Sequence, residues 1–409
     1  MSGKFNEEQV HQYLYEQGLE KLVADAPGID DAVGSNDNEE VEFELWRIIK
    51  VKALQKLTRL HRTIRYGEFI GSKIKLPTDK TTPMELDVLG QHEVGLFVLE
   101  LKVDRAAERN AFSELFAYSN YIAGLFVPSG HKDITNVLVA RLEVKLTRQA
   151  FLYDLLITDR NIIVYTPDFP DGTLESMRLH LHIPTDDDFR LFTNQLLSHN
   201  AMSCVVASFN DLEGWFDSKE EEGSLNDYAI EHLEGLSNYT AQLMEAEHLH
   251  GFCFMRKPWQ ERPLYYRNSL FICAINPFRA AAIKGTNVIS EQLEAEYRTR
   301  FFEVPEWGFD GRLTALAKRA VKDCLTHDYH CELELPLWSA IVVSTLELGI
   351  SHNFGFRPTG LLREAYVSYL SDTYAREATG GHARDLSVLK INEINNWLRA
   401  WMFMEGAVL

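Results

Sequence analysis

Hydrophobic positions change their spacing several times along this chain, and the changes mark out its elements. Over residues 5–25, Val10, Tyr13, Leu14, Leu19 and Leu22 recur on one side and predict a short amphipathic helix. The stretch PGIDDAVGSNDNEE (27–40) is acidic and rich in turn formers, and reads as a loop. From about Val41 to Leu60 the helical period returns, carried by Leu45, Ile48, Ile49, Leu54 and Leu57. After Ile64 the period shortens: RYGEFIGSKIKLP, MELDVLG and VGLFVLELKV are short runs of β character separated by Gly and Pro. Residues 106–123 revert to helix, and NVLVARLEVK and DLLITDRNIIVYTP to strand. Helix, three strands, helix and further strands make one α/β unit that ends near Pro184, in the sequence PTDDD.

Beyond that point the pattern is mostly helical, at 225–249, 290–302, 311–325, 337–349, 360–377 and 385–404. One hairpin interrupts it, GFCFMRK (251–257) with YYRNSLFICAIN (265–276). The expected organisation is an N-terminal helix and acidic loop (1–39), an α/β domain (40–184) and a mostly helical α+β domain (185–409). No run approaches the ~20 apolar residues of a membrane span, and five scattered cysteines favour a reducing compartment. A cytoplasmic protein with no membrane partner is expected. The formal net charge of −19 argues against a general DNA-coating protein, because neutralising phosphates takes exposed cations. It leaves room for a local positive field.

The chemistry concentrates in Met84–Gly90 and Leu96–Val103. Alternate side chains of a strand share a face, so Glu100 and Lys102 point the same way, with Leu99, Leu101 and Val103 opposite. Asp87 sits on the preceding apolar run, and Gly90 and Gly95 suit a hairpin that would bring Asp87, Glu100 and Lys102 together. Such side chains are almost never buried unpaired, and a metal ion is the simplest partner for them. Two carboxylates and a backbone carbonyl, for which Leu101 is the natural source, form the hard oxygen set preferred by Mg²⁺ or Mn²⁺. Lys102 would orient or deprotonate an attacking water. The tripeptide E-x-K alone says little, since a chain of this length contains it about once or twice by chance. A second copy, Glu143-Val144-Lys145, lacks a preceding apolar strand with an Asp and reads as the solvent face of a strand.

The spacing D-x12-E-x-K, on two hydrophobic strands followed by a helix, resembles the PD-(D/E)xK nuclease superfamily over roughly residues 40–165. The pattern departs in one place: Pro83 does not immediately precede the Asp. The resemblance implies a restriction-endonuclease-like core, a mixed sheet flanked by helices, that cuts DNA, or less readily RNA, with a divalent metal. It also implies a further Glu from the helix before the strands, for which Glu40, Glu42 and Glu44 are candidates and Glu44, beside the apolar stripe, is favoured, and a polar residue with a Tyr one turn later on the helix after them. Glu114 and Tyr118 match that spacing, with Glu where Gln is commoner. Bacterial phage defence or DNA repair would suit such a nuclease. A catalytically inactive nuclease-fold protein that binds nucleic acid or acts as a scaffold is the alternative.

Between Arg47 and Arg65 the chain carries Arg47, Lys50, Lys52, Lys56, Arg59, Arg62 and Arg65 with no Asp or Glu. This basic stripe, set before the site strands, is the expected track for a nucleic-acid backbone, the rival reading being a solvated face paired with acidic loops. A homo-oligomer contact or a protein partner is expected to use residues 185–409. Cys324, His327, His330 and Cys331 fit no usual zinc spacing and read as a helix end. His180 and His182 alternate as on a polar strand face, and Trp338, Trp397 and Trp401 read as core.

Overall fold

The structure is a computed structural model, and it describes residues 5–26, 45–76, 84–126, 132–196, 199–210, 227–257, 268–283, 291–325, 331–343, 352–379 and 403. The chain is mixed α/β and forms two compact units. One comprises Met1–Glu40 with Ile49–Phe189, the other Val41–Ile48 with Arg190–Leu409. Among the described residues, no helix is long and apolar enough to cross a membrane.

The first unit opens with α1 (Glu7–Gln17) and α2 (Leu19–Leu22), broken at Gly18, whose φ of 75° suits glycine. A capping box between Asn6 and Gln9 starts α1. The long helix α3 (Leu45–Arg65) follows. The sheet then runs β1 (Glu68–Leu76), β2 (Met84–His92), β3 (Gly95–Lys102), β4 (Ile134–Ala140), β5 (Ile162–Asp168) and β6 (Arg178–Leu181), in that spatial order. β1, β2 and β3 pair antiparallel, β3–β4–β5 parallel, and β6 antiparallel on the far edge. Between β3 and β4 lie α4 (Arg105–Glu108) and α5 (Ala111–Leu125); between β4 and β5 lies α6 (Lys145–Leu156). Ala111, Leu115, Tyr118 and Ile122 of α5 form a buried stripe at helical spacing, and the helix packs on β3 and β4.

The hairpin between β2 and β3 turns at Glu93-Val94, and its two glycines serve packing. A Cβ on Gly90 would stand 2.0 Å from the Phe97 ring that lies over it, and one on Gly95 would stand 2.7 Å from the Asp133 carbonyl oxygen. The E-x-K at 143–145 is not a strand. β4 stops at Ala140, and Glu143 and Val144 lead into α6, where their amides donate to the buried carboxylate of Glu108 at 3.1 and 2.9 Å. Nor do the two histidines share a polar surface: His180 is exposed, whereas the half-buried His182 sets its ring edge-on to Phe151.

The second unit carries more strand than the sequence pattern predicts. After α7 (Asp186–Leu196), strands β7 (Met202–Phe209), β8 (Gly251–Arg256), β9 (Asn268–Ile275), β10 (Glu332–Glu334) and β11 (Asn353–Thr359) form an antiparallel sheet in the order β10-β7-β9-β8-β11. The predicted hairpin is β8–β9; β7, β10 and β11 were not predicted. β7, β8 and β9 are buried along their whole length, so they lack the alternation that marks a half-exposed strand. The helices here are α8 (Asp227–Ala246), α9 (Pro277–Ile283), α10 (Ala295–Cys324), α11 (Trp338–Ile341) and α12 (Gly360–Thr379). α10 runs through the break expected between 302 and 311. One sheet face packs Val205, Met255 and Ile272 against Leu233 and Leu236 of α8 and Leu313 and Ala317 of α10. Trp338 is buried edge-on to Phe252, while Trp397 and Trp401 lie outside the described residues.

Candidate active site

The β2–β3 ladder runs from His92↔Gly95 to Val88↔Leu99 and stops there. Continued by one rung, the register sets Asp87 opposite Glu100, and directly opposed residues of an antiparallel pair share a face. In place of the next backbone bond, the Leu101 amide donates to Asp87 Oδ2 at 2.9 Å. Main-chain groups alternate in direction along a strand, so the Leu101 carbonyl points to the same side as its N–H. The splay of the two strands therefore leaves a carboxylate and a carbonyl together at the open end of the hairpin.

Glu100 is 2% exposed. Its Oε1 lies 2.7 Å from Lys102 Nζ, and its Oε2 is buried without a hydrogen-bond partner. The Lys102 ammonium is shared: Glu114 Oε2 on α5 lies at 2.8 Å and Glu7 Oε1 on α1 at 3.9 Å. Burial, and then the nearby Asp87 charge, push the Glu100 carboxyl up to about 9 against the smaller pull of Lys102. Burial also raises Asp87. Burial works against the Lys102 charge, yet Glu100 and its hydrogen bonds with Glu100 and Glu114 hold its affinity for the proton above the ordinary lysine value. Tyr118 is pushed up to about 12 by burial and then by Glu100 and Glu114, so its phenol is a neutral donor. Acids crowd the Lys102 ammonium, and one buried oxygen of Glu100 is left orphaned, which favours a further positive charge there.

The residues present suit a hard divalent cation in donor chemistry: Asp87, Glu100 through its unpartnered Oε2, and the Leu101 carbonyl. Among the described residues, no three His, Cys, Asp or Glu side chains converge to cage a metal, so the set relies on the backbone oxygen. Glu44 lies outside the described residues.

Two contributors from α1 were not predicted. Besides Glu7, the buried His11 brings Nε2 within 3.1 Å of the Asp87 carbonyl oxygen and 3.4 Å of Ser72 Oγ, tying α1 to β1 and β2. Burial raises the Glu7 carboxyl, Asp87 adds to the rise, and Lys102 opposes it. The acidic start of α1 reads locally as an ordinary helix N-terminus, so nothing in the sequence connects Glu7 with Lys102 on a strand far along the chain.

The basic stripe of α3 is largely consumed within the fold. Lys50 pairs with Asp186 at 2.7 Å, Lys56 with Asp159 at 2.8 Å, and Arg65 with Asp25. Arg47 sits over the neighbouring Trp46 ring at 5.4 Å, and Lys52 is half-buried. Arg59 and Arg62 are the exposed members. The expected track of seven cations is thus reduced to a short exposed stretch, because acids distant in sequence fold against Lys50, Lys56 and Arg65. Cys324 and Cys331 are free and half-buried, and His327 and His330 lie outside the described residues.

No protein-family model matches the chain, and neither a curated protein nor a solved structure is significantly similar to it.

Proposed function

We propose that the first unit is a divalent-metal-dependent nuclease that hydrolyses phosphodiester bonds of nucleic acid, DNA in preference to RNA, on a restriction-endonuclease-like core. The observation that carries this reading is the set of Asp87, Glu100 and Lys102 on one face of a splayed hairpin, with Glu100 Oε2 buried and unpartnered. Surface charges on a strand edge would be solvated; here Glu100 is buried, and Asp87 and Lys102 are half-buried beside it.

Asp87, Glu100 and the Leu101 carbonyl would hold Mg²⁺ or Mn²⁺, which when bound supplies polarisation of the phosphodiester and an acidified water. The side chains have separate tasks. The Leu101 amide fixes Asp87 through Oδ2. Lys102, held by Glu100 and Glu114, has one N–H of its ammonium left to donate to the attacking water or to a phosphate oxygen. Tyr118 can donate a further hydrogen bond to a phosphate without losing its proton. Glu100 must release its proton before it can take a cation, so cation binding and deprotonation are linked.

The test is incubation of the full chain with labelled single- and double-stranded DNA and RNA in Mg²⁺, Mn²⁺ or EDTA, beside Asp87→Asn. Cleavage that needs the metal and disappears in Asp87→Asn supports the reading. Equal cleavage by the variant, or none by the wild type on any substrate, overturns it.

A further inference from the structure

Lys73 holds a left-handed backbone, φ 50°, in the middle of β1, a conformation that residues with a side chain rarely adopt. The other three non-glycine residues of this kind among the described residues, Leu142, Asp159 and His248, lie outside strands. Strain of this sort persists only where the surrounding fold enforces it, and such places cluster at ligand-binding sites. The rungs Ser72↔Val88 and Ile74↔Leu86 set Lys73 across from Asp87. Asp87 in turn lies opposite Glu100, so Lys73, Asp87 and Glu100 form a row over β1, β2 and β3, with Lys73 on the edge strand. Its ammonium is held by Glu8 in the first turn of α1, beside the Glu7 that faces Lys102. One turn of helix thus spans both cations. The two differ in freedom. Lys102 has a side chain 11% exposed and is committed to Glu100 and Glu114. The side chains of Lys73 and Glu8 are 36% and 66% exposed, and a pair so placed contributes little to stability and opens readily. Burial raises Asp87, and the Lys73 charge is among those that oppose the rise, so the ammonium already acts on the site.

We infer that Lys73 binds the phosphate next to the scissile one, and that Glu8 holds its place until nucleic acid enters. This deepens the nuclease reading above and rests on it. A phosphodiester chain seated over Asp87 and Glu100 brings several negative charges to a place already crowded with carboxylates, and it needs a cation beyond Lys102. β1 and β2 run about 5 Å apart, so a chain with its scissile phosphate at Asp87 carries the neighbouring phosphate within reach of a lysine on the edge strand. The exchange is of one anion for another. Lys73 releases the Glu8 carboxylate and donates to a phosphate oxygen, while Glu8, at the surface, is taken up by water. The contact is to the backbone, so it positions the strand without reading its bases.

The test is binding of labelled single-stranded DNA and RNA oligonucleotides to the full chain in EDTA, read by fluorescence anisotropy across a salt series, with cleavage of the same oligonucleotides in Mg²⁺. Lys73→Asn removes the charge and supplies a residue that accepts the left-handed backbone, so the fold is kept. It should weaken binding about tenfold, the scale of one hydrogen bond to a charged group. The slope of log K against log salt should shrink by about 0.7, the share of one phosphate on a single strand. In Mg²⁺, KM should rise while kcat stays within about twofold, because the lost contact is equal in ground and transition states. Glu8→Gln should tighten binding by freeing Lys73, and should gain nothing when Lys73→Asn is already present. Wild-type affinity, slope and KM in Lys73→Asn overturn the inference and leave the nuclease reading standing. A gain from Glu8→Gln that persists beside Lys73→Asn is a general charge effect and also overturns it. Binding that depends on Lys73 without any metal-dependent cleavage supports the phosphate contact and removes the nuclease reading. A chain that binds neither oligonucleotide overturns both.

Discussion

The carboxylate of Asp87 takes the amide proton of Leu101 at 2.9 Å, in the rung where the ladder between β2 and β3 would otherwise continue. One side chain thus ends a pairing and fills the place of the lost strand bond. Asp87→Asn keeps an oxygen that can accept from Leu101 and should melt near the wild type, whereas Asp87→Ala strands that amide and should cost about 1–3 kcal/mol. Both should abolish metal-dependent cleavage. Calorimetric melts alongside a cleavage assay separate the two effects, and an Ala variant as stable as the wild type would remove Asp87 from its structural role.

Glu100 makes the metal-free protein sensitive to pH. Its carboxyl sits at about 9 in the fold, against 4.5 as an ordinary glutamate, so between those values the folded state holds more protons than the unfolded one. Its contribution to stability is complete below pH 4.5 and is lost as the pH rises toward and through 9. In EDTA, the melting temperature should therefore fall across this window more steeply for the wild type than for Glu100→Gln, which cannot ionise. Parallel curves for the two proteins would count against a buried, protonated Glu100.

Lys102 serves the chemistry and, as a cation, is no ligand for Mg²⁺. Lys102→Ala should retain or tighten metal binding by calorimetry while turnover falls by a factor on the order of 10² or more. Lys102→Arg should not restore it, because a planar fork cannot replace a compact ammonium between Glu100 and Glu114. Wild-type turnover in Lys102→Ala would rule out the assigned role even if the metal still bound.

The cations of α3 divide by environment. Lys56 has a side chain 9% exposed beside Asp159, which is 44% exposed and keeps Lys132 as a second partner, so Lys56→Ala should lower stability by only about 1 kcal/mol. Arg59 and Arg62 are exposed, and Arg59→Ala should change stability by no more than about 0.5 kcal/mol. Reversing both charges, Arg59→Glu with Arg62→Glu, should weaken nucleic-acid binding and flatten its salt dependence. An unchanged salt slope would show that α3 faces away from the substrate.

Taken by itself, the sequence determined what local periodicity can encode. The alternation of Leu99-Glu100-Leu101-Lys102 fixes which side chains share a face, and the apolar runs around a short turn are enough to pair β2 with β3. The tertiary structure alone decided which distant elements close on that face. Glu7 and His11 arrive from α1, and Glu114 reaches Lys102 from α5. Asp25, Asp159 and Asp186 remove Arg65, Lys56 and Lys50 from the expected cationic track. It also decided that the second half is built on a sheet, because strands covered on both faces carry no alternation to read. A side chain's direction follows from its own backbone, but its partner follows from how remote segments pack, and no spacing within one segment records that.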